Sequence, residues 1–387
     1  MAKRQKLSSC HLDELPDEVI LKIVGFLDLK ELLLCGQVSK RLRAIANDES
    51  LWLKLNFWNR KVPYDFIEKA AKNGCQYLSL RDCDILNFTG KSESFFNLKY
   101  LNVYNGQCLQ RVHKLIQNCS FLQKLSVADS SLDLNDIQYI CQSGQTLQVL
   151  DLGKCNFGDC NQTKLLHDLF SNCAHLTELD ISHTELDITH SYLLDPHIQA
   201  LVDNLTPTIL KVSLERQGNL QDEYVKKLVK RCNNITHLDL SMTSITNNSV
   251  HSIIKQLKAS LEKLDVSRTN VDFATLLELK SMPALKTLIC FDSTRDHSAV
   301  IEYLTKQLPH TSINVETNLY IAKSFKIMEG SDGTDWIWEI SAKEQKLFAK
   351  VDYDIDDSDF SYDSNDNDDC DDSNDSNDND DSDYEIY

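Results

Sequence analysis

A short apolar pattern, Leu-x-x-Leu-x-Leu with Ile, Val or Cys substituting, constrains this chain more than any other feature. Its first positions fall at Cys75, Leu98, Leu122, Leu147, Leu176, Ile209, Ile235, Leu261 and Leu285, with a degenerate copy around Ile313-Asn-Val315. The steps run from 23 to 33 residues. A unit this short cannot bury its own apolar face, and stacking the copies side by side does so. Within a copy the alternation implies a strand: Leu150 and Leu152 point into the stack while Asp151 points to the concave face. Position nine is small or hydrogen-bonding (Cys83, Ser130, Cys155, Thr184, Thr243, Thr269), suited to satisfying backbone groups buried where the chain turns. Amphipathic stretches such as Val225–Lys230 and Val250–Leu257 lie between strands and belong outside. The pattern predicts an α/β solenoid, with parallel strands on the concave face and helices on the convex face. Its two longest steps predict insertions near Asn156–Lys164 and Asp187–His197.

Charge divides the chain unevenly. The formal net charge is −19, yet Asp352 to Tyr387 holds 17 acidic residues and no Lys or Arg. The remainder, with 42 acidic against 40 basic residues, is nearly neutral and carries no general basic footprint for nucleic acid. No apolar run approaches the roughly 20 residues that span a bilayer, and none follows the basic start, so neither membrane nor secretory signal is expected. The 13 cysteines then sit in a reducing compartment. Cys119, Cys173 and Cys232 each precede a repeat's first position by three residues, which assigns them to packing. No CxxC pair or histidine cluster has metal-ligand spacing, and no GxSxG, P-loop or GxGxxG is found. The expectation is a non-catalytic chain without metal or cofactor.

Ahead of the repeats, Leu12 to Leu55 reads as a compact helical unit. Leu15-Pro16-Asp17-Glu18 opens a helix carrying Ile20, Ile23, Val24 and Leu27. Leu29, Leu32 and Leu33 begin a second. Val38, Leu42, Ile45 and Ala46 mark a third, and Glu49-Ser-Leu-Trp52 closes the unit. So small a piece needs a partner or a neighbouring domain.

Leu-Pro-Asp-Glu, then Leu-Asp-Leu-Lys-Glu-Leu, Val-Ser-Lys-Arg-Leu-Arg and Glu-Ser-Leu-Trp resemble the F-box in order and content. The repeat period is that of leucine-rich repeats. Lys230–Ser241, Leu276–Leu279, Pro283–Leu288, Leu308–Val315, Tyr320-Ile-Ala and Asp335–Ile340 narrow the resemblance to the S-phase kinase-associated family of F-box/leucine-rich-repeat proteins. That resemblance implies the substrate-recognition subunit of an SCF-type cullin–RING ubiquitin ligase. The F-box would bind the SCF adaptor and, through it, the cullin scaffold, with Leu15, Pro16, Glu18, Ile23, Leu27 and Trp52 facing or framing the adaptor. The repeats would bind a phosphoprotein substrate, such as a cyclin-dependent kinase inhibitor, with a small kinase-binding accessory protein reading the phosphate. The candidate contact row is position eight of each repeat: Lys154, His183, Arg216, Met242, Arg268 and Asp292. Arg216 and Arg268 match basic residues of the family's recognition surface, and a guanidinium fork suits an acidic or phosphorylated peptide. His183 and Met242 depart from it, standing where the family has Trp and Asp.

The expected organisation is a flexible 1–11, an F-box over 12–56, about ten repeats over 57–316, a segment 317–350 returning over the concave face, and a disordered acidic tail 351–387. The tail is Asp, Asn and Ser with almost no aliphatic residues, too little apolar surface to offset the entropy of ordering. Lys3-Arg-Gln-Lys6 is consistent with a nuclear as well as a cytoplasmic protein. Two alternatives stay open: the same ligase role with another substrate, and an acidic-tailed repeat protein that binds histones or other basic nuclear partners.

Overall fold

The computed structural model describes residues 12–27, 29–57, 60–86, 96–105, 116–157, 163–184, 193, 195–291 and 297–314. Residues 1–11, the centres of both predicted insertions, Asp292, the segment 317–350 and the tail 351–387 lie outside the described residues.

After a short 3-10 turn at Leu12–Glu14 come four helices: α1 (Asp17–Val24), α2 (Leu29–Val38), α3 (Lys40–Ala46) and α4 (Glu49–Trp52). Each boundary has a local cause. Pro16, with φ −59°, caps α1, and Asp17 and Glu18 fill its first turn, where the helix dipole favours negative charge. Ser39 Oγ accepts the Leu42 N–H at 3.1 Å to start α3, and Asp48 Oδ1 accepts the Ser50 N–H at 3.0 Å to start α4. The Ser39 cap corrects the sequence reading of Val38, which ends α2 rather than opening α3 and stands 74% exposed. Ile20, Val24, Leu29, Leu32, Ile45, Ala46 and Trp52 form the small core. Arg41 ties α3 to the start of α1, donating to Asp17 Oδ1 at 2.6 Å and to the Leu15 carbonyl at 2.5 Å.

A strand, β1 (Lys54–Asn56), follows α4 after one residue and pairs in parallel with β3 (Tyr77–Ser79). Among the described residues it founds a sheet of eleven strands, continuing through β5 (Tyr100–Asn102), β6 (Lys124–Ser126), β7 (Val149–Asp151), β8 (Glu178–Asp180), β9 (Lys211–Ser213), β10 (His237–Asp239), β11 (Lys263–Asp265) and β12 (Thr287–Ile289) to β13 (Ser312–Ile313). A two-stranded sheet joins β2 (Lys61–Pro63) to β4 (Asp84–Leu86), with α5 (Tyr64–Lys72) between them in sequence. The solenoid thus starts one strand before the first hexapeptide copy, within the segment read as the end of the helical unit. β1 has no Leu-x-x-Leu-x-Leu of its own, and it completes the hydrogen bonding of the first repeat's open edge.

Register is unbroken. Leu55, Leu78, Leu101, Leu125, Leu150, Leu179, Val212, Leu238, Leu264, Leu288 and Ile313 lie opposite one another, strand to strand, and all are buried. Each such side chain contributes about 2 kcal/mol by leaving water, so the ladder is the main cohesive term along the stack. Position nine behaves as its chemistry requires. Thr184, Thr243 and Thr269 donate Oγ1 to the carbonyls of Ile181, Leu240 and Val266 at 2.5–2.6 Å, and Cys155 Sγ donates to the Val127 carbonyl at 3.1 Å. Burial raises the Cys75 and Cys119 thiols to about 12, in keeping with packing rather than reactivity. On the convex side, Asp222 accepts from the backbone N–H and hydroxyl of both Thr246 and Ser249, stitching helix Asp222–Arg231 to helix Asn247–Leu257.

Position five is buried rather than open. Asp151, Asp180, Asp239 and Asp265 turn their Oδ1 atoms back onto the N–H two residues ahead, at 2.8–3.0 Å, and so close each strand. Asn102 makes the same bond to Tyr104 at 2.9 Å without a charge. Asp239 and Asp265 are paired neighbours, and burial above all pushes both carboxyls above the usual carboxylate range, with Asp265 adding to the rise at Asp239. A carboxyl raised in the folded state binds its proton more tightly there than in the unfolded chain. The fold therefore loses stability as pH rises from the ordinary carboxylate value through the raised one. Asp239→Asn keeps the acceptor and removes the charge. It should raise the melting temperature at pH 7 by about 2 °C or more, with the gain vanishing near pH 4, as thermal scans across pH would show.

Candidate functional site

The first candidate surface lies on the helical unit. Val19, Ile23 and Phe26 follow one stripe of α1 and its exit, and Leu34 and Val38 follow one stripe of α2; all five are exposed, Phe26 by 90%. Large apolar side chains in stripes on consecutive helices, both packed on α3, mark a protein-binding surface. Of the residues chosen from sequence, Ile23, Pro16 and Glu18 are exposed and Leu15 and Leu27 half-buried. Trp52 is 1% exposed. Its Nε1 donates to the Ala46 carbonyl at 2.7 Å and its ring lies 6.0 Å from Phe66 of α5. Trp52 therefore frames this surface from below and offers nothing to a partner. Phe26, Leu34 and Val38 were missed, although a signal existed: these helices carry more apolar residues than one buried stripe accommodates.

The second candidate is the ledge just past the strands. Position eight of eight successive repeats is left-handed: Asp82, Asn105, Asp129, Lys154, His183, Arg216, Met242 and Arg268 have φ between 54° and 62°. The cause is a second ladder. Each of these residues donates its N–H to a carbonyl of the next repeat, as Lys154 does to Ser182 at 2.7 Å, Arg216 to Ser241 at 2.9 Å and Arg268 to Phe291 at 2.8 Å. Asp and Asn tolerate this conformation, while a longer side chain costs about 1–2 kcal/mol there. The first three positions follow that preference, and Lys154, Arg216, Met242 and Arg268 do not.

Five of the six ledge residues chosen from sequence are brought into one row, and Asp292 lies outside the described residues. Lys154, Arg216 and Arg268 are exposed, and His183 and Met242 are half-buried. At a strand spacing of about 4.8 Å, the row from Lys154 to Arg268 runs roughly 19 Å. At its centre the His183 ring lies between Glu215 Oε1, 3.1 Å from Nε2, and the Arg216 guanidinium, 3.3 Å from Nδ1. Exposed Phe291 adjoins Arg268 and gives the row an apolar end that the pattern alone did not single out. Such an edge can take an anionic group through its guanidinium forks and an apolar side chain beside them. Among the described residues no group of three or more His, Cys, Asp or Glu could hold a metal ion, and no helix is long and apolar enough to cross a membrane.

Helices with an exposed apolar face, leading directly into a parallel-stranded solenoid, define an F-box/leucine-rich-repeat protein. The family described as F-box-like matches residues 12–58, and the family described as SKP2 LRR domain matches residues 66–345. The chain belongs to that SKP2-type leucine-rich-repeat family. Two curated relatives match over short stretches. F-box only protein 15 of Bos taurus is 45% identical over 47 residues, 12% of this chain and 10% of its own length. F-box protein dre-1 of Caenorhabditis elegans is 38% identical over 55 residues, 14% of this chain and 6% of its own length. The chain thus spans a tenth or less of either relative. Among solved structures, an internalin (inlF) from Listeria monocytogenes aligns over 78% of this chain and 92% of its own, with a TM-score of 0.45 and 13% identity. Internalin C2 from the same species covers 53% and 72%, with a TM-score of 0.32 and 18% identity.

Proposed function

We propose that this chain is a non-catalytic substrate receptor of an SCF-type cullin–RING ubiquitin ligase. The exposed apolar face of α1 and α2 carries the reading: Phe26, Ile23, Leu34 and Val38 suit a partner helix from the adaptor, which in turn bridges to the cullin scaffold. The repeats hold a phosphorylated cell-cycle substrate of the cyclin-dependent kinase inhibitor class at the ledge, with Arg216 and Arg268 toward its anionic groups and a small kinase-binding accessory protein beside it. Ubiquitin transfer is the work of the partners. This chain supplies proximity, converting a bimolecular encounter into a local one. The protein acts in nucleus and cytoplasm.

The test is capture by the adaptor-bound full chain. A phosphorylated kinase inhibitor, offered with and without the accessory protein, should be retained by the wild type and lost at least about 30-fold by Arg216→Glu/Arg268→Glu, with adaptor binding intact. Equal retention by wild type and variant would remove the ledge from the substrate site.

A further inference from the structure

The F-box-proximal end of the concave face differs in chemistry from the rest. Along position three, Lys54, Tyr77, Tyr100 and Lys124 lie directly opposite one another on β1, β3, β5 and β6. The two tyrosines meet edge to face, with centroids 4.5 Å apart at 78°. Lys54 Nζ sits 4.8 Å from the Tyr77 centroid and Lys124 Nζ 5.0 Å from that of Tyr100. Four residues further along these strands, Arg81 lies 4.5 Å over the Tyr104 ring. Between these rows the position-five residues are neutral: Asn56, Ser79, Asn102 and Ser126. Ser79 is fully buried, and among the described residues its Oγ has no hydrogen-bond partner. From β7 to β11 the same row is acidic at Asp151, Asp180, Asp239 and Asp265.

We propose that the Lys54–Tyr77–Tyr100–Lys124 row is a second interaction surface, which takes an extended acidic peptide of a partner protein. The rings hold each ammonium group in place, so less side-chain entropy is lost when an anion arrives. Two cations three strands apart are separated by about 14 Å, and an extended peptide covers about 13 Å in four residues. A strand crossing the row with acidic residues at i and i+4 reaches both lysines. Its residue i+2 faces the same way and lands on the tyrosine pair, which favours an apolar side chain there. From β7 onward the position-three row has no tyrosine, and Lys211 is already paired with Glu178 Oε1 at 2.9 Å, which confines the site to β1–β6. Stacked nucleic-acid bases fit less well, because Lys54 and Lys124 cover ring faces and the tyrosines turn edge to face between them.

The test uses the full chain with its adaptor and a fluorescent peptide carrying Glu at two positions four apart and Leu midway. Fluorescence anisotropy at low salt should show binding that weakens about ten-fold in Lys54→Gln/Lys124→Gln and falls again at high salt. Lys211→Gln/Lys263→Gln, which removes the same charge elsewhere in the row, should bind as the wild type does. Thermal scans check that both variants fold, and Tyr77→Phe/Tyr100→Phe, which keeps the rings, should retain binding. Equal binding of a peptide with its two Glu adjacent would overturn the proposal, as would equal loss in both lysine pairs or tighter binding of a single-stranded oligonucleotide. The chain's own Asp335-Trp-Ile-Trp-Glu339 has the same spacing. Peptide binding that emerges only in Asp335→Asn/Glu339→Gln would assign the surface to that segment instead, and overturn a partner's claim to it.

Discussion

Phe26→Asp is expected to weaken adaptor capture by more than about 100-fold while leaving the melting temperature of the isolated chain within about 2 °C of the wild type. Phe26 is 90% exposed and lies beyond the last residue of α1, so it contributes almost nothing to the core. A charge there would be carried into an apolar contact without a partner, a cost of several kcal/mol that only the complex bears. Co-purification of the two proteins, followed by titration, measures the loss. An unchanged affinity would exclude this helix face as the docking surface and remove the main support for the ligase reading. Ile23→Asp and Val38→Asp should act in the same sense, because both side chains are exposed on the same two helices.

Trp52→Ala should do the reverse. The side chain is 1% exposed, its Nε1 satisfies the Ala46 carbonyl, and Lys69 of α5 lies 5.7 Å from its ring. Truncation opens a cavity where the four helices meet α5 and should cost about 3–5 kcal/mol. Urea denaturation should show a lower midpoint, with the helical unit unfolding ahead of the repeats. Adaptor affinity of the molecules that stay folded should change far less than in Phe26→Asp. Together the two variants separate a residue that faces the partner from one that frames the face. Sequence reasoning had named Trp52 among residues that face or frame the adaptor without deciding between the two.

Much of the fold was legible because its unit is local. A hexapeptide with period-two alternation specifies a strand, and its recurrence specifies the stack, so Leu150 or Leu238 could be placed in the core without tertiary knowledge. Position nine was legible for the same reason, since a Thr or Cys after the strand has a nearby carbonyl to satisfy. β1 was not, because Lys54-Leu-Asn56 is a strand only by virtue of the β3 edge beside it. Nor was the end of α2, where the Ser39 cap outweighed the apolar spacing that drew Val38 into the next helix.

The candidate sites divide in the same way. The ledge positions follow from counting along each repeat, so Lys154, His183, Arg216, Met242 and Arg268 could be named in advance. That they share a left-handed backbone could not be counted out, because it arises from an N–H ladder between repeats.

By itself the sequence determined the helical unit, the solenoid, its register and the identity of the ledge residues, all properties that repeat at short range. Only the tertiary structure decided which apolar side chains of α1 and α2 remain outside, that the concave aspartates are buried with Asp239 and Asp265 raised in pKa, and that Lys54 and Lys124 flank two tyrosines. Those features depend on which strands and helices become neighbours, and burial and charge are properties of neighbours rather than of residues.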